Sequence, residues 1–195
     1  NELFKIILST NAFTALNKMS ENKIMSTIFP GRLRMSEFSR LIFLEGADSD
    51  PIRRLAILLT TPAEKVIETL KLSNRMADCL TFYCEKEIGV SEDPKEIKKL
   101  FYEMRQMDFL GLLLIKTALN PKYKNMRDMA NTIALNWSVP TFPLRGVDLL
   151  RLGIKPGIEV GNILMKVEHW WILSEFKYNK EDCLNWVKDH YVNES

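Results

Sequence analysis

Pro143-Leu144-Arg145-Gly146-Val147-Asp148-Leu149-Leu150-Arg151-Leu152-Gly153-Ile154-Lys155-Pro156-Gly157 reads as a short helix, a tight turn and the start of a second helix. Apolar residues at helical spacing predict the first helix over 147–152, and Gly153 stands where a left-handed C-terminal cap forms without steric cost. Residues 154–157 are the connector. Pro156 cannot continue the first helix but can begin the second, and Gly157 and Gly161 let backbone approach whatever lies opposite. The second helix is expected to run at least to Trp171. Its first turn leaves N–H groups without partners at the positive end of the helix dipole, and Lys155 and Lys166 add full charges nearby, an arrangement that suits phosphate. Two readings compete at this point. The hairpin is either a compact αα-corner whose glycines serve packing, or a sequence-independent nucleic-acid contact in which amides hold phosphate oxygens and basic side chains add a salt-dependent attraction.

Outward from the hairpin, nearly every segment carries helical periodicity, so the fold class is all-α with about ten helices. Apolar spacing predicts helices over 1–9, 12–19, 35–44 and 52–59. Thr61-Pro62-Ala63-Glu64 reads as a capping box opening a helix to about Leu70, Ser73 as the cap of the next, and Ser91-Glu92-Asp93-Pro94-Lys95-Glu96 as the start of one reaching about Met107. Residues 109–119 form a mostly apolar, central helix, and 124–137 another with Met126, Met129, Ile133, Ala134 and Trp137 inward. Asn179 caps a last helix over 180–191. Ile28-Phe29-Pro30-Gly31 closes the second helix.

Asp48 and Asp50, two carboxylates one residue apart after Gly46, imitate the metal-binding pair of a nucleotidyltransferase. Their context is wrong for it, because Asp50-Pro51 heads a helix and no strand or phosphate loop precedes them, so Asp50 is read as a cap. Trp137 is read as core rather than as a base-stacking platform, and one of Trp170 and Trp171 must point away from the core unless a neighbour covers it. Cys79, Cys84 and Cys183 have no metal-ligand spacing and no neighbour that would activate a thiol. They suit a reducing cytoplasm.

Composition bounds the partners. The 195 residues are 46% hydrophobic and 27% charged with a net charge of +2, so no overall polyelectrolyte signal points to nucleic acid, and any binding surface must be local. Between positions 116 and 166 the basic residues Lys116, Lys122, Lys124, Arg127, Arg145, Arg151, Lys155 and Lys166 outnumber the acidic Asp128, Asp148 and Glu159. No apolar run reaches the length of a membrane span, so no membrane partner is expected.

The run from Pro143 to Leu149, then Leu152-Gly153-Ile154-Lys155-Pro156-Gly157, Gly161, Ile163-Leu164 and Glu168-His169-Trp170-Trp171, resembles the C-terminal segment of bacterial class II tRNA nucleotidyltransferases, the CCA-adding enzymes, and of the related poly(A) polymerases. Glu2-Leu3-Phe4-Lys5-Ile6-Ile7 is similar to the tail of the connecting helix of that family, and Leu70-Lys71-Leu72-Ser73-Asn74 to a segment of its body. Ile158 departs from the family, which often has proline there. The resemblance implies a multi-helix body and tail of the poly(A) polymerase C-terminal type: residues 1–10 as the end of a truncated neck helix, 11–138 as helical body and 139–195 as helical tail. It further implies a non-catalytic, RNA-binding part that holds tRNA or another structured RNA for 3′-end addition by an N-terminal catalytic head absent from this chain. That head would carry the Mg²⁺ and the CTP or ATP. In this chain the resemblance implies no catalytic residue, no metal ligand and no cofactor. Whether the parent adds CCA, A alone or poly(A), and in what oligomeric state, is not legible here. The RNA-binding residues expected are Arg145, Gly153, Lys155, Gly157, Gly161 and Lys166, with Lys124 and Arg127 on charge alone. The alternative is a helical protein-interaction or dimerisation module without RNA affinity, which would expose a hydrophobic rather than a basic patch.

Overall fold

The computed structural model describes residues 2–22, 25–29 and 31–192, and all regular structure among them is helical. Asn1 and Pro30, which the first helix and first turn were expected to include, lie outside the described residues, as do residues 193–195 of the expected tail. The α-helices are α1 Glu2–Leu8, α2 Ala12–Glu21, α3 Met35–Glu45, α4 Pro51–Leu58, α5 Glu64–Leu70, α6 Asn74–Glu85, α7 Pro94–Met104, α8 Gln106–Leu119, α9 Lys124–Asn136, α10 Gly146–Arg151, α11 Ile158–Leu173 and α12 Lys180–Tyr191.

Side-chain caps account for several starts. The Asp50 carboxylate accepts the Arg53 N–H at 2.6 Å at the head of α4, and Asp93 accepts the Lys95 N–H at 2.9 Å at the head of α7. Asn179 Oδ1 accepts the N–H groups of Glu181 and Asp182, and Asp182 returns a carboxylate to the Asn179 N–H. These are the orphan amides of a helix N-terminus finding local acceptors.

Two expected boundaries move, and one cap stands where expected without its side-chain bond. Thr61 does not cap a helix: α5 begins at Glu64, behind Ala63, because the preceding segment is drawn across residues 31–34, with the Arg34 N–H on the Leu58 carbonyl and the Thr60 hydroxyl on the Arg32 carbonyl. Ser73 occupies the N-cap position of α6 without a side-chain bond. The helix expected to reach Met107 breaks at Arg105, whose φ of 63° turns the chain, and α8 begins directly after it, three residues earlier than expected.

Helix α8 is apolar on almost all sides and sits at the centre of the first hydrophobic cluster, packed against α3, α4, α6, α7 and α9. A helix without a polar face has to be buried. Gly111 lets it approach α6, since a Cβ there would strike the buried Tyr83 hydroxyl. A second cluster, built on Leu144, Leu149, Ile163, Val167, Trp171, Cys183 and Val187, holds α10, α11 and α12 together. The two meet at an aromatic seam. Tyr102 of α7 lies against Trp171 and Phe176, with ring centroids 5.7 and 5.4 Å away, and its hydroxyl donates to Glu168. Trp137 lies between Phe101 and Phe176 with the Lys98 ammonium over its ring, so it belongs to the seam.

Candidate nucleic-acid interface

The glycine hairpin is built from the second cluster. Asp148, the third residue of α10, accepts the Arg145 N–H at 2.9 Å and takes the Lys180 ammonium at 2.6 Å, which ties the start of α10 to the start of α12. Leu152 ends α10, and the Gly153 and Ile154 N–H groups return to the carbonyls of Leu150 and Leu149 at 3.0 and 3.3 Å. This is a Schellman closure. It needs the positive φ of Gly153, 91°, and it puts apolar Ile154 back onto the cluster.

Pro156 does not begin the second helix. Gly157 caps α11 with a φ of 149°, and Ile158 is its first residue, so the proline stiffens the connector instead. Nothing lies within 4 Å of where a Cβ would sit on Gly157 or Gly161, so neither glycine serves a close approach inside the described structure. Gly161 thus weakens α11 relative to alanine by about 0.5–1 kcal/mol with no internal packing in return. What it leaves is a bare strip of backbone facing outward.

The other expected residues fall in two places. Arg145 and Lys155 are exposed at the hairpin, and neither side chain has an ion pair among the described residues. The amides of Gly157, Ile158 and Glu159 have no hydrogen bond among the described residues, while the Val160 N–H goes to the Gly157 carbonyl. Glu159, exposed in the same turn, favours the helix dipole but opposes an anion. Lys166, two turns further along, lies over the Tyr191 ring at 5.5 Å. It edges a shallow apolar groove with Asn162, Met165, His169, Trp170, Leu173 and Trp186. Trp170 is the member of the tryptophan pair that faces away from the core, and Tyr178 and Trp186 cover it by stacking at 4.4 and 5.7 Å.

Lys124 and Arg127 are not brought to the hairpin. They lie on α9, which packs against α7 and α8, and both pair with Asp128 at 2.7 Å. Lys116, counted in the basic stretch, is buried and paired with Glu87 at 2.8 Å, so its charge serves α8 rather than the surface. The spacing of α3 already held a further residue of interest: Phe38, Leu41 and Glu45 face inward, which sets Phe43 on the outer face, beside Arg40 and near Lys124 and Arg127.

Charge couples the hairpin to pH. Asp148 is 5% exposed, and its carboxyl is held below the ordinary value first by the Lys180 hydrogen bond and then by the Arg145 amide. A carboxylate whose pKa is lowered on folding stabilises the fold above its unfolded value, near 4, and loses that contribution as pH falls through the depressed folded value. Thermal unfolding from pH 6 to pH 3 should therefore show Asp148→Asn less stable than the parent at pH 6, with the gap closing in acid.

Burial raises the thiols of Cys84 and Cys183, each to about 11, and pushes Cys79 upward too, so none is poised as a nucleophile. Asp48 acts through its backbone, its carbonyl accepting from the Arg53 guanidinium and its N–H going to the Glu45 carbonyl. No group of three or more His, Cys, Asp or Glu side chains among the described residues is arranged to hold a metal, and no helix among them is long and apolar enough to cross a membrane.

No family model matches the chain. Over 168 residues, 82% of the chain, it is 24% identical to the mitochondrial CCA tRNA nucleotidyltransferase 1 of Mus musculus and covers 38% of that protein. A stretch of 52 residues, 27% of the chain, is 35% identical to the protein of the same name from Homo sapiens and covers 12% of it. One of 49 residues, 25% of the chain, is 39% identical to that of Danio rerio and covers 11%. The chain thus spans well under half the length of the curated relatives it matches. These relatives are eukaryotic, whereas the motifs pointed to bacterial enzymes. At low identity, the similarity supports a relationship between this chain and the tRNA nucleotidyltransferase family.

Proposed function

We propose that this chain is the RNA-holding helical part of a tRNA nucleotidyltransferase or poly(A) polymerase, positioning tRNA for nucleotide addition at its 3′ end by a head domain that the chain does not contain. The observation that carries the reading is similarity along 82% of the chain to a CCA tRNA nucleotidyltransferase. The hairpin supplies a physical means. Unbonded amides at the head of α11, the bare Gly161 strip and the free charges of Arg145 and Lys155 recognise phosphates of folded RNA by shape and charge, without reading bases. The chemistry of transfer, with its Mg²⁺ and CTP or ATP, belongs to the head. Asp48 and Asp50 do not fit a metal here, since the Asp50 carboxylate is taken up by the Arg53 amide. A reducing compartment such as the cytoplasm suits the three free cysteines.

Lys155→Glu tests the assignment. It is expected to weaken tRNA binding and to lower the slope of log affinity against log salt by about 1 or more, the loss of at least one phosphate contact, while the unfolding temperature stays unchanged because Lys155 is exposed and unpaired. An unchanged slope would remove the hairpin from the interface.

One observation favours the second reading, a protein-interaction or dimerisation module. The outer face of α11 exposes Ile158 (86%), Met165 and Leu173 in a helical row. Rows of this kind mark association surfaces. That reading predicts concentration-dependent self-association and no salt-sensitive affinity for RNA.

A further inference from the structure

Phe43 is the most exposed large apolar side chain of the first cluster's surface, at 87%, and it joins neither hydrophobic cluster nor any ring contact among the described residues. A phenylalanine left this open on a packed helix gains nothing for the fold. It sits at a groove of about 380 Å³ lined by Ser39, Arg40, Leu44, Thr117, Pro121, Lys124 and Arg127. The ionisable groups of that lining are all cations.

Each cation is held loosely or from one side. Arg40 donates Nε to the Ala118 carbonyl at 2.8 Å and sets one terminal nitrogen 3.4 Å from Glu37. Lys124 and Arg127 share the carboxylate of Asp128, which is itself half exposed and lies outside the lining. The two hydrogen bonds, Lys124 first and Arg127 second, lower the Asp128 pKa, so the acid stays ionised and the pairs persist at neutral pH. The Lys124 pair is solvent-exposed, and pairs of that sort are weak and exchange their acceptor readily, whereas Arg127, mostly buried, presents Nε and Nη2 together to Asp128 Oδ1 at the surface. A phosphate can take the place of Asp128, and a bidentate guanidinium favours it.

An aliphatic protein surface would satisfy the ring alone. Three cations around it and no carboxylate in the lining favour a polyanion that also carries flat aromatic faces. We propose that Phe43, Arg40, Lys124 and Arg127 form a second RNA contact, in which an unpaired base stacks on the Phe43 ring and its flanking phosphates are held by the three cations. The inference rests on the reading of the chain as an RNA holder. It adds a single-strand contact on the first cluster, remote in sequence from the shape-reading hairpin.

The test uses the full chain and an intact tRNA. Phe43→Ala should bind about tenfold more weakly, within the range that base–aromatic stacking contributes. Its salt slope and unfolding temperature should stay as in the parent, because the ring carries no charge and lies outside the core. Phe43→Tyr, which keeps a stacking face, should restore the affinity, and Lys124→Gln should lower the slope by about 1. If Phe43→Ala binds as the parent does while the parent binds in a salt-dependent way, this contact is overturned and the hairpin reading stands. If Phe43→Ala abolishes self-association and leaves RNA binding intact, the ring serves a protein partner and the contact is likewise overturned. Absence of tRNA affinity in the parent overturns both.

Discussion

Replacing Glu45 with alanine is expected to cost about 3–5 kcal/mol of stability, because it strands two buried guanidinium groups. Glu45, at the end of α3, offers Oε1 to Arg53 Nε at 2.6 Å and Oε2 to Arg54 Nε at 2.7 Å. Arg53 also donates to the Asp48 carbonyl, and Arg54 to the Ile7 carbonyl at 2.8 Å, so the network joins α1, α3, the loop after α3 and α4. Both arginines are almost fully buried. One anion balances two cations, and the remaining positive charge is met by main-chain carbonyls. Without the carboxylate, neither guanidinium recovers water, and Arg54, which meets the Ile7 carbonyl near the C-terminal end of α1, loses its anionic partner. The loss would be a large share of the total stability of a domain. Urea unfolding at pH 7 measures it. Glu37→Ala removes a long, partly exposed pair with Arg40 and should change stability by no more than about 0.5 kcal/mol. A loss below 1 kcal/mol for Glu45→Ala would show that the network is not a buried electrostatic unit.

Trp171→Ala should cost a similar amount, about 3–5 kcal/mol, while Trp170→Ala should cost clearly less. Trp171 is 2% exposed, donates its indole N–H to the Tyr178 carbonyl at 2.8 Å, and lies within 5.7 Å, centroid to centroid, of Tyr102, Phe142 and Phe176. It is at once the centre of the second cluster and the far side of the seam with α7. Its removal leaves a cavity, an orphaned carbonyl and a weakened junction. Trp170 is half-buried and gives up only stacking with Tyr178 and Trp186. Chemical denaturation of the two variants side by side measures the difference. Equal losses would contradict the assignment of the pair to opposite faces.

The features legible in the sequence were those whose cause is local. Asp50 before Pro51, Asp93 before Pro94 and Asn179 at the last helix satisfy amides within three residues, and Gly153 lets α10 close through hydrogen bonds that span three and five positions. The mostly apolar stretch of α8 announced a central helix for the same reason. What distant partners decide was not legible. Thr61-Pro62 has the residues of a helix start, yet contacts with residues 31–34 override them. The break at Arg105 carries no glycine or proline to mark it. Adjacent Arg53 and Arg54 look like solvated charge until Glu45, eight and nine residues earlier, is seen between them.

The candidate site divides in the same way. Glycine and proline chemistry made the hairpin readable, although Pro156 and Gly161 serve it differently from what their types suggest. Lys124 and Arg127 were visible only as charge. Their common neighbourhood with Arg40 and Phe43 depends on how α3 and α9 each pack against α8, which spacing along the chain does not encode.

The most direct test of the central claim is the affinity of this chain for an intact tRNA and for an unstructured RNA of equal length, each measured across a salt series. An RNA-holding body predicts tighter binding to the folded tRNA, with log affinity falling linearly in log salt by close to one unit per phosphate contacted. Equal and negligible affinity for both RNAs, at low salt as at high, would contradict it.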